Sequence, residues 1–136
     1  MSYLRRRPSG VRTPKQRAGD AAEDAACSHL QQHGCRVIAR NVRYREGELD
    51  VVAQDGSTLV FVEVRLRSRD TFGGAAGSVD RFKRKRLVRA AQHFLAQHFG
   101  TSGDGGPRGV PPCRFDVITA DDGGVSDWIQ DAFASE

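Results

Sequence analysis

Apolar residues recur at helical spacing in two segments of the chain. In the first, alanines and Leu30 follow one another three and four residues apart after Thr13-Pro14, a capping residue and a first-turn proline. Gly34 is typical of the end of such a helix. We expect Ser78 to cap the second helix and Gly100 to end it. The apolar stripe of this second helix consists of Leu87, Val88, Ala91, Phe94, Leu95 and His98.

Five further segments have the alternating or continuous apolar pattern of β-strands. They are Cys35–Arg40, Glu48–Ala53, Thr58–Leu66, Cys113–Thr119 and Val125–Gln130. The third strand-forming segment is apolar on both faces for much of its length, which is typical of a central, buried strand. The order α-β-β-β-α-β-β predicts an α/β fold with a mixed central sheet flanked by helices. We expect residues 1–12 to form a flexible basic arm and residues 13–136 to form a single domain.

Composition narrows the class of protein. A hydrophobic fraction of 38% and a charged fraction of 28% are typical of a globular domain. No apolar run approaches the roughly 18 residues that a membrane span needs, and the basic N-terminus lacks the apolar core of a secretion signal. A cytoplasmic location is therefore the expectation. The three cysteines are widely spaced and predict neither a disulfide framework nor a zinc site.

Charge is distributed unevenly along the chain. Residues 1–103 carry a net charge of +9 and residues 104–136 carry −5. Of the 21 basic residues, 18 are arginine, whose guanidinium group makes bidentate contacts with phosphate. This distribution favours phosphate binding, as in proteins that bind nucleic acid, and no membrane partner is expected. The alternative is that the basic clusters are only solvated faces.

Two neighbouring strands bring several carboxylates together. Asp55-Gly56 is a strong hairpin signal, and a two-residue turn there pairs Glu48 with Glu63. Because side chains alternate along a strand, these glutamates project from the same face as Asp50 and Arg65. In this register Asp50 and Glu63 are diagonal neighbours. A longer loop with a bulge would change the register.

Carboxylates buried between valines cost on the order of several kcal/mol unless something neutralises them. A divalent cation would do so, and hard oxygen ligands select Mg²⁺ or Mn²⁺. Such an ion activates water and stabilises charge on a phosphate oxygen. The alternative is a solvated face on which Glu48 and Glu63 pair with Arg45 and Arg65. The residues alone leave both interpretations open.

The second helix begins with a basic cluster. Lys83 and Arg84 precede its apolar stripe, near the positive end of the helix dipole. We interpret them as phosphate contacts at the mouth of the carboxylate site, and the alternative is that the stripe simply ends there. Arg67 and Arg45 are further candidates for nucleic-acid binding.

Two other groups of residues are weaker candidates for a metal-binding or base-stacking site. His29 and His33 lie four residues apart on the first helix, but no third metal ligand is evident and a histidine near a helix C-terminus is favoured by the dipole alone. Trp128 and Phe61 could stack on a base, although core packing is the better interpretation.

Seven motifs in a fixed order resemble a known family. They are GDAAEDAA (19–26), GELDVVA (47–53), LVFVEVRLRS (59–68), VDRFKRKRL (79–87), AAQHFL (90–95), RFDVI (114–118) and DAF (131–133). Over about residues 14–133 the chain resembles the YraN-type family of small bacterial proteins. That family is similar by fold to the PD-(D/E)XK nuclease superfamily, near the archaeal Holliday-junction resolvases.

The resemblance implies a restriction-endonuclease-like αβββαβ core with a metal site on two sheet carboxylates. It assigns the metal to Asp50, Glu63 and the backbone carbonyl of Val64. It also matches Glu23 to the helix glutamate of the superfamily, and Lys83 to the family's basic residue on the second helix. Ala22 stands where the family often has glycine, a change that a helix tolerates.

Arg65 replaces the motif lysine, and this is the more serious departure from the family pattern. Lysine can share or lose a proton, whereas arginine effectively cannot. If the position only neutralises charge, Arg65 can serve; if it must act as a base, cleavage fails while binding survives.

The leading hypothesis is a nuclease dependent on Mg²⁺ or Mn²⁺ that cleaves DNA, including branched structures. Asp50 and Glu63 would bind metal, Glu23 and Glu48 would be accessory acids, and Arg65 would polarise the phosphate. The second hypothesis is a nucleic-acid-binding module without turnover, and the third is an interaction protein with structural carboxylates. Cutting a symmetric junction would favour a homodimer.

Overall fold

The computed structural model describes residues 11–67, 79–100 and 109–134, together with the backbone of Leu4–Arg5. Two long helices and five long strands make up these ranges, with one very short strand before them. In chain order they are β1 (Leu4–Arg5), α1 (Pro14–Gln32), β2 (Arg36–Arg43), β3 (Glu48–Asp55), β4 (Thr58–Leu66), α2 (Arg81–Phe99), β5 (Cys113–Asp121) and β6 (Gly124–Phe133).

The strands form one mixed sheet in the order β1-β2-β3-β4-β5-β6. The β4–β5 pair is parallel. A parallel connection needs a crossover segment, and α2 is the segment that returns the chain to the starting end of the sheet. β1 also runs parallel to β2, so part of the predicted basic arm joins the edge of the sheet. The other neighbours are antiparallel. The predicted α/β fold, with an αβββαβ core and flanking helices, is confirmed.

α1 covers one face of the sheet. Thr13 caps it as predicted, since its hydroxyl accepts the Gln16 N–H and the Gln16 side chain accepts the Thr13 N–H. The small buried residues Ala22 and Ala26 let the helix lie close to β4 and β5. Leu30 completes this buried face, which packs with the valines of β3 and β4.

α2 covers the other face. The predicted stripe is buried from Leu87 to Leu95, and Phe94 meets Phe61 of β4 edge to face. His98 is exposed and stacks on the ring of Phe94. The predicted cap at Ser78, which lies outside the described residues, is wrong. Asp80 is the N-cap and accepts the Lys83 N–H at 2.8 Å, because a carboxylate is favoured at the positive end of the helix dipole.

The β3–β4 hairpin has a different register from the predicted one. Asp55 pairs with Thr58, so the two-residue turn is Gly56-Ser57, with a φ of 59° at Gly56. Asp55 stays in the strand because its carboxylate accepts a hydrogen bond from Arg114 Nη1 of β5 at 3.0 Å. The register therefore shifts by two residues. An even shift leaves every side chain on its predicted face.

Four strands run beyond their predicted ends: β2 to Arg43, β3 to Asp55, β5 to Asp121 and β6 to Phe133. Asn41 in β2 and Asp131 in β6 have positive φ angles of 53° and 52°, which mark local irregularities. Asn and Asp tolerate this conformation better than most residues, so the strands continue past it. Neither helix in the described ranges has the length and apolar character that crossing a membrane requires.

Candidate functional site

The β3 and β4 strands separate at one end of their hairpin, and a carboxylate occupies the gap. Backbone pairing runs from Asp55–Thr58 to Val51–Val62. One residue further, Asp50 Oδ2 accepts the backbone N–H of Val64 at 2.9 Å. The carboxylate thus satisfies a buried donor that the ladder leaves open.

The Asp50 and Glu63 carboxylates are close enough to interact. The register on which their predicted diagonal arrangement rested is wrong, because Val51 pairs with Val62 and the ladder ends there. Burial raises the pKa of Asp50 well above its ordinary value, and the neighbouring Glu63 carboxylate raises it further. The Val64 N–H opposes this shift. The two carboxylates therefore form one electrostatic unit.

Glu63 is 5% exposed and has two cationic neighbours. Lys83 Nζ of α2 lies 2.6 Å from Glu63 Oε1, and Arg65 Nη1 lies 3.7 Å from the same oxygen. Lys83 is thus the closer counter-ion, although the resemblance to the nuclease superfamily assigned that place to Arg65. The sequence predicted Lys83 near the site but not this direct pairing.

A pocket of about 270 Å³ opens between the separated strands and the start of α2. Its walls come from the sheet carboxylates and from the first two turns of the helix. The lining residues are Glu48, Asp50, Glu63, Asp80, Phe82, Lys83, Arg86 and Leu87. Acidic side chains on the sheet thus face cationic side chains on the helix across one cavity.

The two predicted accessory acids, Glu48 and Glu23, lie in different parts of the structure. Glu48 lines the pocket from its exposed rim, where Arg43 Nε lies 3.3 Å from its carboxylate. Glu23 does not line the pocket; its Oε1 lies 3.6 Å from Arg40 of β2. Burial raises the pKa of Glu23, and the Arg40 charge opposes that shift. Glu23 still contributes to the electrostatics of the site, because its charge helps to raise the pKa of Asp50.

Arg40 was not among the predicted site residues. It is 3% exposed, and its Nη2 makes a 2.8 Å hydrogen bond with Asp24 of α1. The available signal was an arginine directly after the apolar run Val37-Ile38-Ala39 of a predicted strand. Arg40 ties the acidic face of α1 to the sheet.

Of the predicted phosphate contacts, only Lys83 lines the pocket. Arg84 Nε donates to the Val79 carbonyl at 2.9 Å, and its guanidinium lies 5.4 Å from the ring centre of Phe133. Lys83 and Arg84 are successive helix residues, so they point in different directions and the predicted pairing at the pocket mouth is wrong. Arg67 and Arg45 are exposed and do not line the pocket.

The turn between β2 and β3 holds the start of α2 in place. A Cβ atom added to Gly47 would lie 2.8 Å from the Arg86 carbonyl oxygen, so only glycine fits there without movement. Nearby, Tyr44 stacks on His93 with ring centres 4.1 Å apart, and His93 Nδ1 lies 3.1 Å from Glu46 Oε2. The close approach of Gly47 to the Arg86 backbone holds Arg86 beside the pocket. The sequence analysis did not identify Arg86 as a site residue.

The donor set is compatible with a hard divalent cation. Within the described ranges, no cluster of three or more His, Cys, Asp or Glu side chains has a metal-binding arrangement. Asp50 and Glu63 supply two carboxylate side chains to a partly buried pocket, and burial raises the pKa of Asp50. Further ligands would have to be backbone carbonyls and water, as is common for Mg²⁺.

The histidine pair and the two aromatic residues, which were the weaker candidates for a functional site, make packing contacts within the fold. The rings of His29 and His33 lie 4.2 Å apart, and both meet Trp128 edge to face. Trp128 Nε1 donates to buried Asp116 at 3.0 Å, which ties this cluster to β5. Phe61 is buried in the core. None of these aromatic rings lies at the carboxylate pocket.

Comparison with known proteins shows the family. Residues 22–120 match the uncharacterised protein family UPF0102. The chain belongs to this family. A UPF0102 protein of Ralstonia nicotianae is 52% identical over 122 residues, covering 87% of each chain. One from Janthinobacterium sp. is 48% identical over 121 residues, covering 89% of this chain and 90% of the relative. One from Methylobacillus flagellatus is 48% identical over 119 residues, covering 86% and 96%.

The UPF0102 match confirms the YraN-type family resemblance. It extends from the second half of α1 through β2, the β3–β4 hairpin and α2 to most of β5. Every residue that lines the carboxylate pocket therefore lies inside the matched range.

Proposed function

We propose that this UPF0102 protein is a divalent-metal-dependent nuclease of the PD-(D/E)XK type that cleaves phosphodiester bonds of DNA, including branched structures. The observation that carries the proposal is the convergence of Asp50 and Glu63 at the point where β3 and β4 separate. A buried aspartate whose pKa is raised by burial and by a second carboxylate, at the wall of a cavity, is typical of functional sites.

Asp50 and Glu63 would hold Mg²⁺ or Mn²⁺, with the Val64 carbonyl as a third protein ligand. The bound ion would supply an activated water molecule and a Lewis acid for the phosphate oxygen. Glu48, at the pocket rim, would orient solvent that enters the site. Glu23 would act at a distance through its charge, since it pairs with Arg40.

The cationic side of the pocket would bind the phosphate. Lys83 and Arg86 line the cavity opposite the carboxylates, and the N-terminus of α2 adds the positive end of its dipole. Arg65 Nη1, 3.7 Å from Glu63, is close enough to neutralise charge on a bound phosphate. The arginine-rich character of the chain would add contacts with the backbone of DNA beyond the pocket.

The alternative is a nucleic-acid-binding module without turnover. The observation that favours it is the 2.6 Å contact between Lys83 Nζ and Glu63 Oε1, which compensates the buried carboxylate without a metal. Arg65 in place of the motif lysine points in the same direction. Both functions would use the same fold and basic surface, and both suit a cytoplasmic protein.

Incubation of purified protein with linear, nicked and four-way DNA, in Mg²⁺, Mn²⁺ or EDTA, tests turnover. We expect metal-dependent cleavage that disappears in Glu63→Gln. Asp127→Asn, an exposed carboxylate of β6, is the matched control and should retain cleavage. Binding without cleavage of any substrate would support the binding module. Paired cuts in the four-way DNA would further indicate that the protein acts as a homodimer.

A further inference from the structure

Phe82 is an aromatic side chain that the fold leaves in solvent. It is 75% exposed, whereas Phe61, Phe94 and Phe115 are all buried in the core. An isolated exposed apolar side chain is common on protein surfaces, so exposure alone does not indicate a function. The position of Phe82 does indicate one, because Phe82 is among the residues that line the carboxylate pocket.

The pocket that Phe82 lines contains both carboxylates and cationic side chains. Phe82 lies in the first turn of α2 between Arg81 and Lys83, and Arg86 follows one turn later. Lys83 and Arg86 line the same pocket. A ring beside several phosphate-binding side chains has the composition of a single-strand binding surface, where cations hold the backbone and aromatic rings stack on bases.

We propose that Phe82 stacks on an unpaired nucleobase next to the phosphate held at the carboxylate pocket, so that the preferred substrate carries unpaired nucleotides at the cleavage position. This inference rests on the proposed function and specifies its substrate. A base within a duplex is already stacked on its neighbours and cannot meet a protein ring without being extruded. Single strands, flaps and the mobile centre of a junction offer such bases without that cost.

Charge complementarity favours a polyanion over an apolar protein partner. Lys83 and Arg86 line the pocket together with Phe82, and a protein partner covering Phe82 would have to desolvate these two charges or supply carboxylates for them. Nucleic acid supplies a phosphate for every nucleotide and a planar apolar face for the ring.

Fluorescence anisotropy with labelled single-stranded, duplex and flapped DNA, in EDTA to prevent cleavage, tests the proposal. We expect Phe82→Ala to weaken single-strand and flap binding about tenfold or more, as loss of a stacked base does, with less than about a twofold effect on duplex. Phe82→Leu keeps apolar volume but has no π face, so it should weaken binding as much as Phe82→Ala does. Phe99→Ala, at the other end of α2 and 37% exposed, is the matched control.

Phe82→Trp adds a direct readout. It should retain single-strand affinity, and its emission should be quenched when the base stacks on the indole, measured in a Trp128→Phe background. Equal affinity of Phe82→Ala and the parent chain for single strands would overturn the stacking proposal while leaving salt-dependent DNA binding, and the proposed function, intact. Parent-like affinity of Phe82→Leu would overturn it as well, since only apolar contact would then be needed. Absence of binding to every DNA form would overturn both proposals.

Discussion

Replacing Asp50 with asparagine should make the metal-free protein more stable at neutral pH. The amide keeps an oxygen that can accept the Val64 N–H, but it removes the repulsion with Glu63. Each unit by which burial and Glu63 raise the pKa of Asp50 corresponds to about 1.4 kcal/mol of lost stability above that pKa. Relief of the cost of burying a poorly compensated polar group is on the order of 1–3 kcal/mol, which would raise Tm in EDTA by about 4 °C per kcal/mol for a domain of this size.

The pH dependence of this gain has a definite sign. The pKa of Asp50 is higher in the folded chain than in the unfolded one, so the folded state binds the proton more tightly. The contribution of Asp50 to stability is fully present below the unfolded pKa of about 4 and is lost as pH rises through the raised folded pKa. The advantage of Asp50→Asn should therefore be absent at pH 3.5 and grow as the pH rises towards neutrality.

With bound metal, the parent protein should be more stable than Asp50→Asn. A cation at 100 times its Kd stabilises a protein by about 2.7 kcal/mol, and Asp50→Asn should lose most of this gain. Differential scanning calorimetry of both proteins, in EDTA and in excess Mn²⁺, measures all these effects, with Asp127→Asn as the control for loss of one surface charge. An Asp50→Asn protein that is less stable than the parent in EDTA at pH 7 would refute the reasoning, because Asp50 would then be a favourable buried anion.

Three further substitutions test other parts of the site. Lys83→Met should raise Mn²⁺ affinity at least about threefold by removing the ammonium group that competes for Glu63, whereas exposed Lys85→Met should not, as isothermal titration would show. Gly47→Ala should lower the free energy of unfolding by about 1–3 kcal/mol, because its Cβ meets the α2 backbone, whereas Gly19→Ala in open space on α1 should raise it by up to about 1 kcal/mol in the same denaturation assay. Arg65→Lys should increase the rate of DNA cleavage if that position exchanges protons, and an unchanged rate would mean that it only neutralises charge.

The sequence was sufficient for the secondary structure and for the face that each carboxylate occupies. Helical spacing predicts α1 and α2, and strand alternation sets Asp50 and Glu63 on one face because side chains repeat every two residues. The hairpin register was not predictable locally. Asp55 remains in β3 because Arg114, 59 positions away in the chain, donates to its carboxylate. A long-range ion pair of this kind leaves no local pattern.

The same limitation applies to the basic residues of α2. Helical spacing sets Arg84 in line with Ala91 and Leu95, but it does not show that Arg84 lies over Phe133 or that Lys83 contacts Glu63. Phe82 lies on the opposite side of α2 from the apolar stripe, so its exposure follows from the pattern, whereas its position at the pocket does not. Tertiary contacts, rather than local propensity, therefore decide which of these side chains reach the pocket.

The most direct test of a shared cation site is a titration of Mn²⁺ into the metal-free protein, followed by the electron paramagnetic resonance signal of free Mn²⁺. We expect one bound equivalent, lost in both Asp50→Asn and Glu63→Gln and retained in Asp127→Asn. A bound equivalent that survives either of the first two substitutions unchanged, or no binding at millimolar Mn²⁺, would contradict the assignment of these two carboxylates to one cation.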